Sequence, residues 1–166
     1  RGDENSAVFD FVIPRGDTGV CEDCHKTPEF LSAYSTPAQP GTSGGRLVFD
    51  LNGASNGTAI SHAVNSTDIA ISQTGYYFVT FHGTLAPAKK TDFPLAIILF
   101  LHQNGSVVPG TDVQHTFHTS AEVANVAFSQ IIKVDTVPTV LRIVSQGGNF
   151  LYSGNNMTVQ KIADLQ

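Results

Sequence analysis

From Gly75 to Leu85 the chain reads Gly-Tyr-Tyr-Phe-Val-Thr-Phe-His-Gly-Thr-Leu, with Tyr77, Val79 and Phe81 on one alternating face and Tyr76 and Phe78 opening the other. A strand with one wet face alternates apolar and polar residues, so two apolar faces predict that both are covered. One cover is the domain's own core. The other is a second layer of the same chain or a neighbouring subunit. Phe93 to Gln103 repeats the two-sided pattern, and Asn104-Gly105 closes it as a hairpin turn.

The remaining chain from Phe30 onward is a series of short β-rich runs separated by Gly, Pro, Asn and Ser clusters. Runs are predicted at 30–36, 46–51, 58–63, 67–72, 106–108, 113–119, 123–134, 139–144, 150–152 and 157–162, with loops at 37–45 and 86–92. No amphipathic helical pattern stands out. Short strands at this spacing predict an all-β, roughly ten-stranded sandwich or barrel. Two regions follow: an N-terminal segment, 1–29, with its own apolar run at Ala7 to Ile13, and one β domain, 30–166.

Composition narrows the function. The chain has 166 residues, of which 41% are hydrophobic and 14% charged, with a formal net charge of -5. That length suffices for one sizeable core. It offers no basic stripe to neutralise phosphates, so nucleic acid is not an expected partner. The longest apolar run, Leu95 to Leu101, is strand-sized and far from the roughly 20 residues a spanning helix needs, so no membrane insertion is expected. Surface polarity carried by Asn, Ser, Thr, Gln and Gly suits an extracellular or surface-displayed β protein. Beginning at Arg1 without a signal-peptide pattern, the sequence reads as a piece of something longer.

The N-terminal segment holds several short motifs. Gly16 and Gly19, after Pro14, fit either a turn or the end of a Gly-X-Y collagen tract. Arg1-Gly2-Asp3 and Arg15-Gly16-Asp17 are integrin-type tripeptides, a permissive motif. Cys21-Glu22-Asp23-Cys24-His25 matches the haem-attachment pattern, but a strand-rich chain with one such motif suits a disulfide within the pair, a disulfide between subunits, or half of a zinc site better.

Residues 29–166 resemble the C1q and tumour-necrosis-factor-like jelly roll, especially the bacterial heads that cap collagen-like surface proteins such as exosporium glycoproteins of spores. The complement-type signature is Gly-x-Tyr-x-Phe-x-Phe/Tyr; Gly75, Tyr77 and Phe81 match it, Val79 replaces the first Phe, and Ile69 stands at the upstream aromatic. Asn56 to His62 before Asp68-Ile69, and Leu101 to Gly110 with its Asn-Gly turn and Pro-Gly ending, are similar to the bacterial heads. The resemblance implies a non-enzymatic homotrimer packed about a threefold axis. It makes Tyr76, Tyr77, Phe78, Phe81, Ile98 and Phe100 candidate subunit contacts. It also implies a structural or adhesive role on a spore or cell surface, with a host receptor, glycan or neighbouring surface-layer protein as partner. The alternative is a secreted complement-like or lectin-like module that binds through loops such as 86–92.

Little in the chain points to catalysis. His115 and His118 fall on opposite faces of a regular strand and cannot share a metal, whereas metal-binding cupin jelly rolls use His-x-His. His62, His82 and His102 lie on separate runs. No nucleophile elbow, phosphate loop or His-Glu-x-x-His helix is present. Asp92 and Asp112 lie in or beside loops, where some complement-type heads hold calcium, but a full set of about 6 to 8 oxygens does not assemble. No cofactor is expected; calcium and zinc are the metals considered. Asn56, Asn65, Asn104 and Asn156 head glycosylation sequons, which a eukaryotic secretory pathway would place at the surface.

Overall fold

In the computed structural model the described residues are 27–165. The motifs at Ala7 to Ile13, Gly16 and Gly19, the two Arg-Gly-Asp tripeptides, and Cys21, Cys24 and His25 lie outside them. Among the described residues the regular structure is entirely β. The strands in chain order are β1 (Phe30–Ser35), β2 (Gln39–Gly41), β3 (Leu51–Asn56), β4 (Ile60–His62), β5 (Ile69–Ile71), β6 (Gly75–Pro87), β7 (Leu95–Gln103), β8 (Ser106–Val107), β9 (Val113–Phe117), β10 (Ala124–Val134), β11 (Thr139–Gly147) and β12 (Phe150–Ala163).

They form two antiparallel sheets. The first runs β10-β6-β12-β1-β3, with β2 also on β12; the second runs β4-β5-β11-β7-β8, with β9 also on β7. The chain changes sheet six times, between β3 and β4, β5 and β6, β6 and β7, β9 and β10, β10 and β11, and β11 and β12. Strands that return to the opposite layer in this way make a jelly-roll sandwich, the expected architecture.

The core lies between the layers. β6 supplies Tyr77, Val79, Phe81 and Leu85, and β7 faces them with Ile97, Leu99 and Leu101. Leu141 and Ile143 of β11 and Met157 and Val159 of β12 fill the same layer. At the β7–β8 turn, Asn104 (φ 51) and Gly105 (φ 86) both take positive φ, as a two-residue hairpin on an Asn-Gly pair requires. The Asn104 amide secures it, accepting the Val140 N–H at 2.8 Å.

Three local readings change. The run at 46–51 is not a continuous strand. Arg46 and Phe49 make single bridges to Val144 and Ser66, while Leu47 and Phe49 drop into the core. The strand comes later, as β3, which pairs with β1 at the sheet edge and is exposed at every residue. Its Asn-Gly content looks like a turn because an edge strand with no buried face has no apolar period. The separate runs at 150–152 and 157–162 are one strand, β12, interrupted by a bulge between Ser153 and Asn156. β2 forms within the expected 37–45 loop.

Candidate assembly face

β6 fixes the orientation of everything around it. Its odd-numbered residues are buried from Gly75 to Pro87, so its even-numbered residues stand on the outer face of the first sheet. There Tyr76 is 38% exposed and Phe78 36%, although both are large and apolar enough to favour burial. Register carries the face across four strands. Phe78 pairs with Ile131 on one side and Gln160 on the other, and Gln160 pairs with Phe30. Ile131 is 56% exposed. Tyr76 pairs with Lys133, extending the apolar end of the sheet by one row.

Beyond this end the face becomes polar and neutral. Ser32, Thr158, Thr80 and Ser129 form one row, and Tyr34, Asn156, His82 and Ala127 the next. Several of these side chains bond to one another. Asn156 Nδ2 donates to Ser32 Oγ at 2.8 Å, Thr158 Oγ1 donates to Asn156 Oδ1 at 3.0 Å, and Thr84 Oγ1 donates to Asn125 Oδ1 at 2.9 Å. The last row, Pro40, Leu151 and Ala86, is apolar again.

At the foot of this sheet is an open pocket of about 670 Å³, lined by Thr27 to Glu29, Gln73 and Gln160 to Asp164. Its polar groups are engaged in holding the fold. Lys161 Nζ lies 2.6 Å from Asp164 and donates to Gln73 Oε1 at 3.2 Å. Glu29 accepts the Ala59 N–H at 2.8 Å, and its carboxylate occupies the place a Gly57 side chain would need. Gly57, at φ +82, satisfies both requirements. Above the pocket the Tyr77 hydroxyl donates to the Gln73 carbonyl at 2.7 Å. Burial, reinforced by Glu29 and Asp164, pushes that phenol up to about 12.

The six residues expected at subunit contacts therefore fall in three places. Tyr76 and Phe78 are on the outer face of the first sheet. Tyr77 and Phe81 are in the core, 0% and 1% exposed, so neither can touch a neighbour. The physical reason is alternation: Tyr77 and Phe81 share parity with Val79 and Leu85, which the second sheet covers. Ile98 and Phe100 are half-buried on the outer face of the second sheet, on the opposite side of the sandwich. Ile131, Phe30 and Lys133 join this face without belonging to the six expected contacts. The one available signal was the Ile131-Ile132 doublet, in which Ile132 is buried and Ile131 is not.

The second sheet's outer face is built differently. Phe100 pairs with Val144, and His102 pairs with Arg142. Arg142 Nε and Nη2 donate to the two Asp68 carboxylate oxygens at 2.6 Å each. Those bonds hold the Asp68 carboxyl down at about 2.

The histidines among the described residues do not converge. His62 is buried, its Nδ1 2.6 Å from Asn52 Oδ1 and its Nε2 3.2 Å from the Ser66 carbonyl oxygen. His82 is on the first sheet's face and His102 on the second's. His115 stacks edge-on against Phe117 and lies 3.9 Å from Glu122. His118 follows the end of β9, and its N–H, donated to Glu122, is the main reason that carboxyl is lowered. Among the described residues no group of three or more His, Cys, Asp or Glu side chains is arranged to hold a metal ion. No helix among them is long and apolar enough to cross a membrane.

No protein-family model and no curated protein matches the chain in sequence. Solved structures do match it in shape. An Eiger TNF from S. frugiperda superposes with a TM-score of 0.66 at 10% identity, covering 84% of this chain and 95% of that one. Murine APRIL at pH 8.0 gives a TM-score of 0.57 at 10% identity, over 82% of this chain and 100% of its own. At such identity the likeness is one of architecture, and the architecture of this domain is the TNF-like jelly roll.

Proposed function

We propose that this domain is a non-enzymatic trimerising head that works outside the cell, as the displayed end of a collagen-like surface protein with a structural or adhesive role on a spore or cell. The carrying observation is the exposed apolar group Phe78, Ile131 and Tyr76 on the outer face of the first sheet, with half-buried Phe30 in the same row beyond Gln160. Contiguous exposed apolar surface marks a site of association. Another copy of the chain is the best-fitting cover, because the face carries almost no charge for a charged partner to pair with. Threefold closure and the collagen-like stalk are taken from the resemblance of Gly75, Tyr77 and Phe81 to the C1q and TNF-like signature.

A second reading is a recognition module that meets a glycan, a receptor or a neighbouring surface-layer protein through loops. The loop between β6 and β7 favours it, since Lys89, Lys90 and Phe93 are exposed together there. Sedimentation of the full chain at micromolar concentration decides the first reading. A trimer is expected, and a monomer would exclude it. Binding on a glycan array that is lost on replacing Lys89 and Lys90 by Ser would favour the second.

A further inference from the structure

The chain contains three Asn-Gly pairs, at Asn52, Asn56 and Asn104. Such a pair is chemically labile. With no side chain on the second residue, its backbone nitrogen can reach the asparagine Cγ and displace the amide nitrogen, provided the asparagine side chain is free to turn. The fold decides which of the three keeps that freedom.

Asn52 does not. It pairs with Ala33 in the β1–β3 ladder, its Nδ2 donates to the His62 carbonyl at 3.0 Å, and its Oδ1 lies 2.6 Å from Nδ1 of that buried imidazole. Asn104 is held as firmly. Its Oδ1 accepts the Val140 N–H at 2.8 Å and its Nδ2 donates to Thr139 Oγ1 at 3.2 Å, so both ends of the amide are engaged. Asn56 differs from both. It is the exposed last residue of an edge strand, and a single bond, from Nδ2 to the Pro28 carbonyl, holds its side chain among the described residues. Gly57 follows it at φ +82, just past the end of the strand.

That one bond belongs to a clamp. Pro28 and Glu29, where the chain enters β1, are held by Asn56 Nδ2 donating to the Pro28 carbonyl, by the Ala59 N–H donating to the Glu29 carboxylate at 2.8 Å, and by the Lys161 N–H donating to the Glu29 carbonyl at 2.8 Å. The Glu29 carboxylate lies directly over Gly57.

We infer that Asn56 is a site of spontaneous deamidation, and that its conversion opens this clamp. The Gly57 nitrogen bonds to Asn56 Cγ and closes a succinimide ring, while the amide nitrogen departs as ammonia with the Gly57 proton. Water then opens the ring at either carbonyl, leaving aspartate or isoaspartate. No reagent but water is consumed. The nitrogen that donated to Pro28 is thereby replaced by a carboxylate oxygen, which cannot donate. The new charge also stands one residue from the position the Glu29 carboxylate covers, and the two repel. Both remaining bonds of the clamp run through Glu29, so both weaken. The domain thus carries an ageing switch at the junction between its N-terminal segment and the sandwich, and the inference does not require the assembly reading.

The test incubates full-length chain, made without glycosylation, at pH 8 and 37 °C, and follows all three pairs by peptide mapping for the amide-to-acid mass gain and for isoaspartate. Each amide hydrogen bond that must break before attack slows it by up to about tenfold, so Asn56 should convert up to about tenfold faster than Asn52 or Asn104. In urea the three should convert at similar rates. Amide hydrogen exchange reads the clamp. In aged wild type and in Asn56→Asp the Ala59 and Lys161 N–H groups should exchange up to about tenfold faster than in fresh wild type. In Asn56→Gln, which keeps a donor and closes the ring far more slowly, they should stay protected, with circular dichroism confirming that both variants are folded. Conversion at Asn52 or Asn104 before Asn56, no conversion at Asn56 in the folded chain, or a preference for Asn56 that persists in urea overturns the site. Conversion at Asn56 with unchanged exchange at Ala59 and Lys161 overturns the switch.

Discussion

Asp68 and Arg142 meet through two parallel bonds of 2.6 Å on the outer face of the second sheet, the forked geometry in which a planar guanidinium matches a carboxylate. The Asp68 carboxyl is lowered from 3.8 to about 2, first by the Arg142 hydrogen bond and against the opposing effect of burial. A carboxyl whose pKa falls on folding contributes stability above its unfolded value and loses it as pH drops through the folded one. That window runs from about pH 4 down to about pH 2. The Asp68 side chain is 37% exposed, so solvent screening reduces the full linkage value to about 1 kcal/mol. Asp68→Asn should therefore cost about 1 kcal/mol in urea unfolding at pH 7, and nothing relative to wild type at pH 2. A deficit that persists at pH 2 would show that the charge is not what stabilises this contact.

β6 is one strand with two assignments, and neighbouring substitutions separate them. Tyr77→Ser removes a fully buried ring and the hydroxyl bond to Gln73, and should lower the stability of the single domain by about 3–5 kcal/mol. Phe78→Ser changes a side chain that is 36% exposed. It should shift domain stability by less than about 1 kcal/mol while raising the dissociation constant of the assembly at least tenfold. Chemical denaturation and sedimentation, run on both variants, must give opposite rankings; matching rankings would mean the two faces are not distinct. The existence of two apolar faces was legible from the alternation of Tyr76 to Phe81. Which face lies inward was not, because a period of two is symmetric until the second sheet is placed. β3 stayed hidden for a related reason: its partner is β1 at an exposed edge, and its hydrogen bonds leave no hydrophobic signature.

The largest part of the assembly face could not be read from any local window. Phe30, Phe78, Ile131 and Gln160 share one row although they come from the beginning, middle and end of the domain. Strand order, which brings them together, is encoded in the packing of the whole sandwich. The all-β sandwich-or-barrel class was legible because strand lengths and turns recur along the chain, and the resemblance centred on Gly75 to Phe81 narrowed it to a jelly roll. The same topology makes the last strand indispensable. β12 lies between β6 and β1, pairs with β6 along most of its length and with β1 from Asn155 to Gln160, and places Phe150, Tyr152, Met157 and Val159 in the core. Its Tyr152 hydroxyl accepts the Val48 N–H at 3.0 Å and donates to Gln39 Oε1 at 3.1 Å, tying in two further segments. A chain stopped at Gly148 loses four buried side chains at about 2–5 kcal/mol each, and leaves two strands with unpaired inner edges. The side-chain loss alone is comparable to the roughly 5–15 kcal/mol that holds a domain of this kind together, and the unpaired edges add to it. Such a truncation should show no cooperative urea transition and poor dispersion of its amide resonances, whereas a chain beginning at Thr27 retains every strand among the described residues and should unfold in a single step. A cooperative transition in the shortened chain would mean that β12 is peripheral, and with it the four-strand face on which the assembly reading depends.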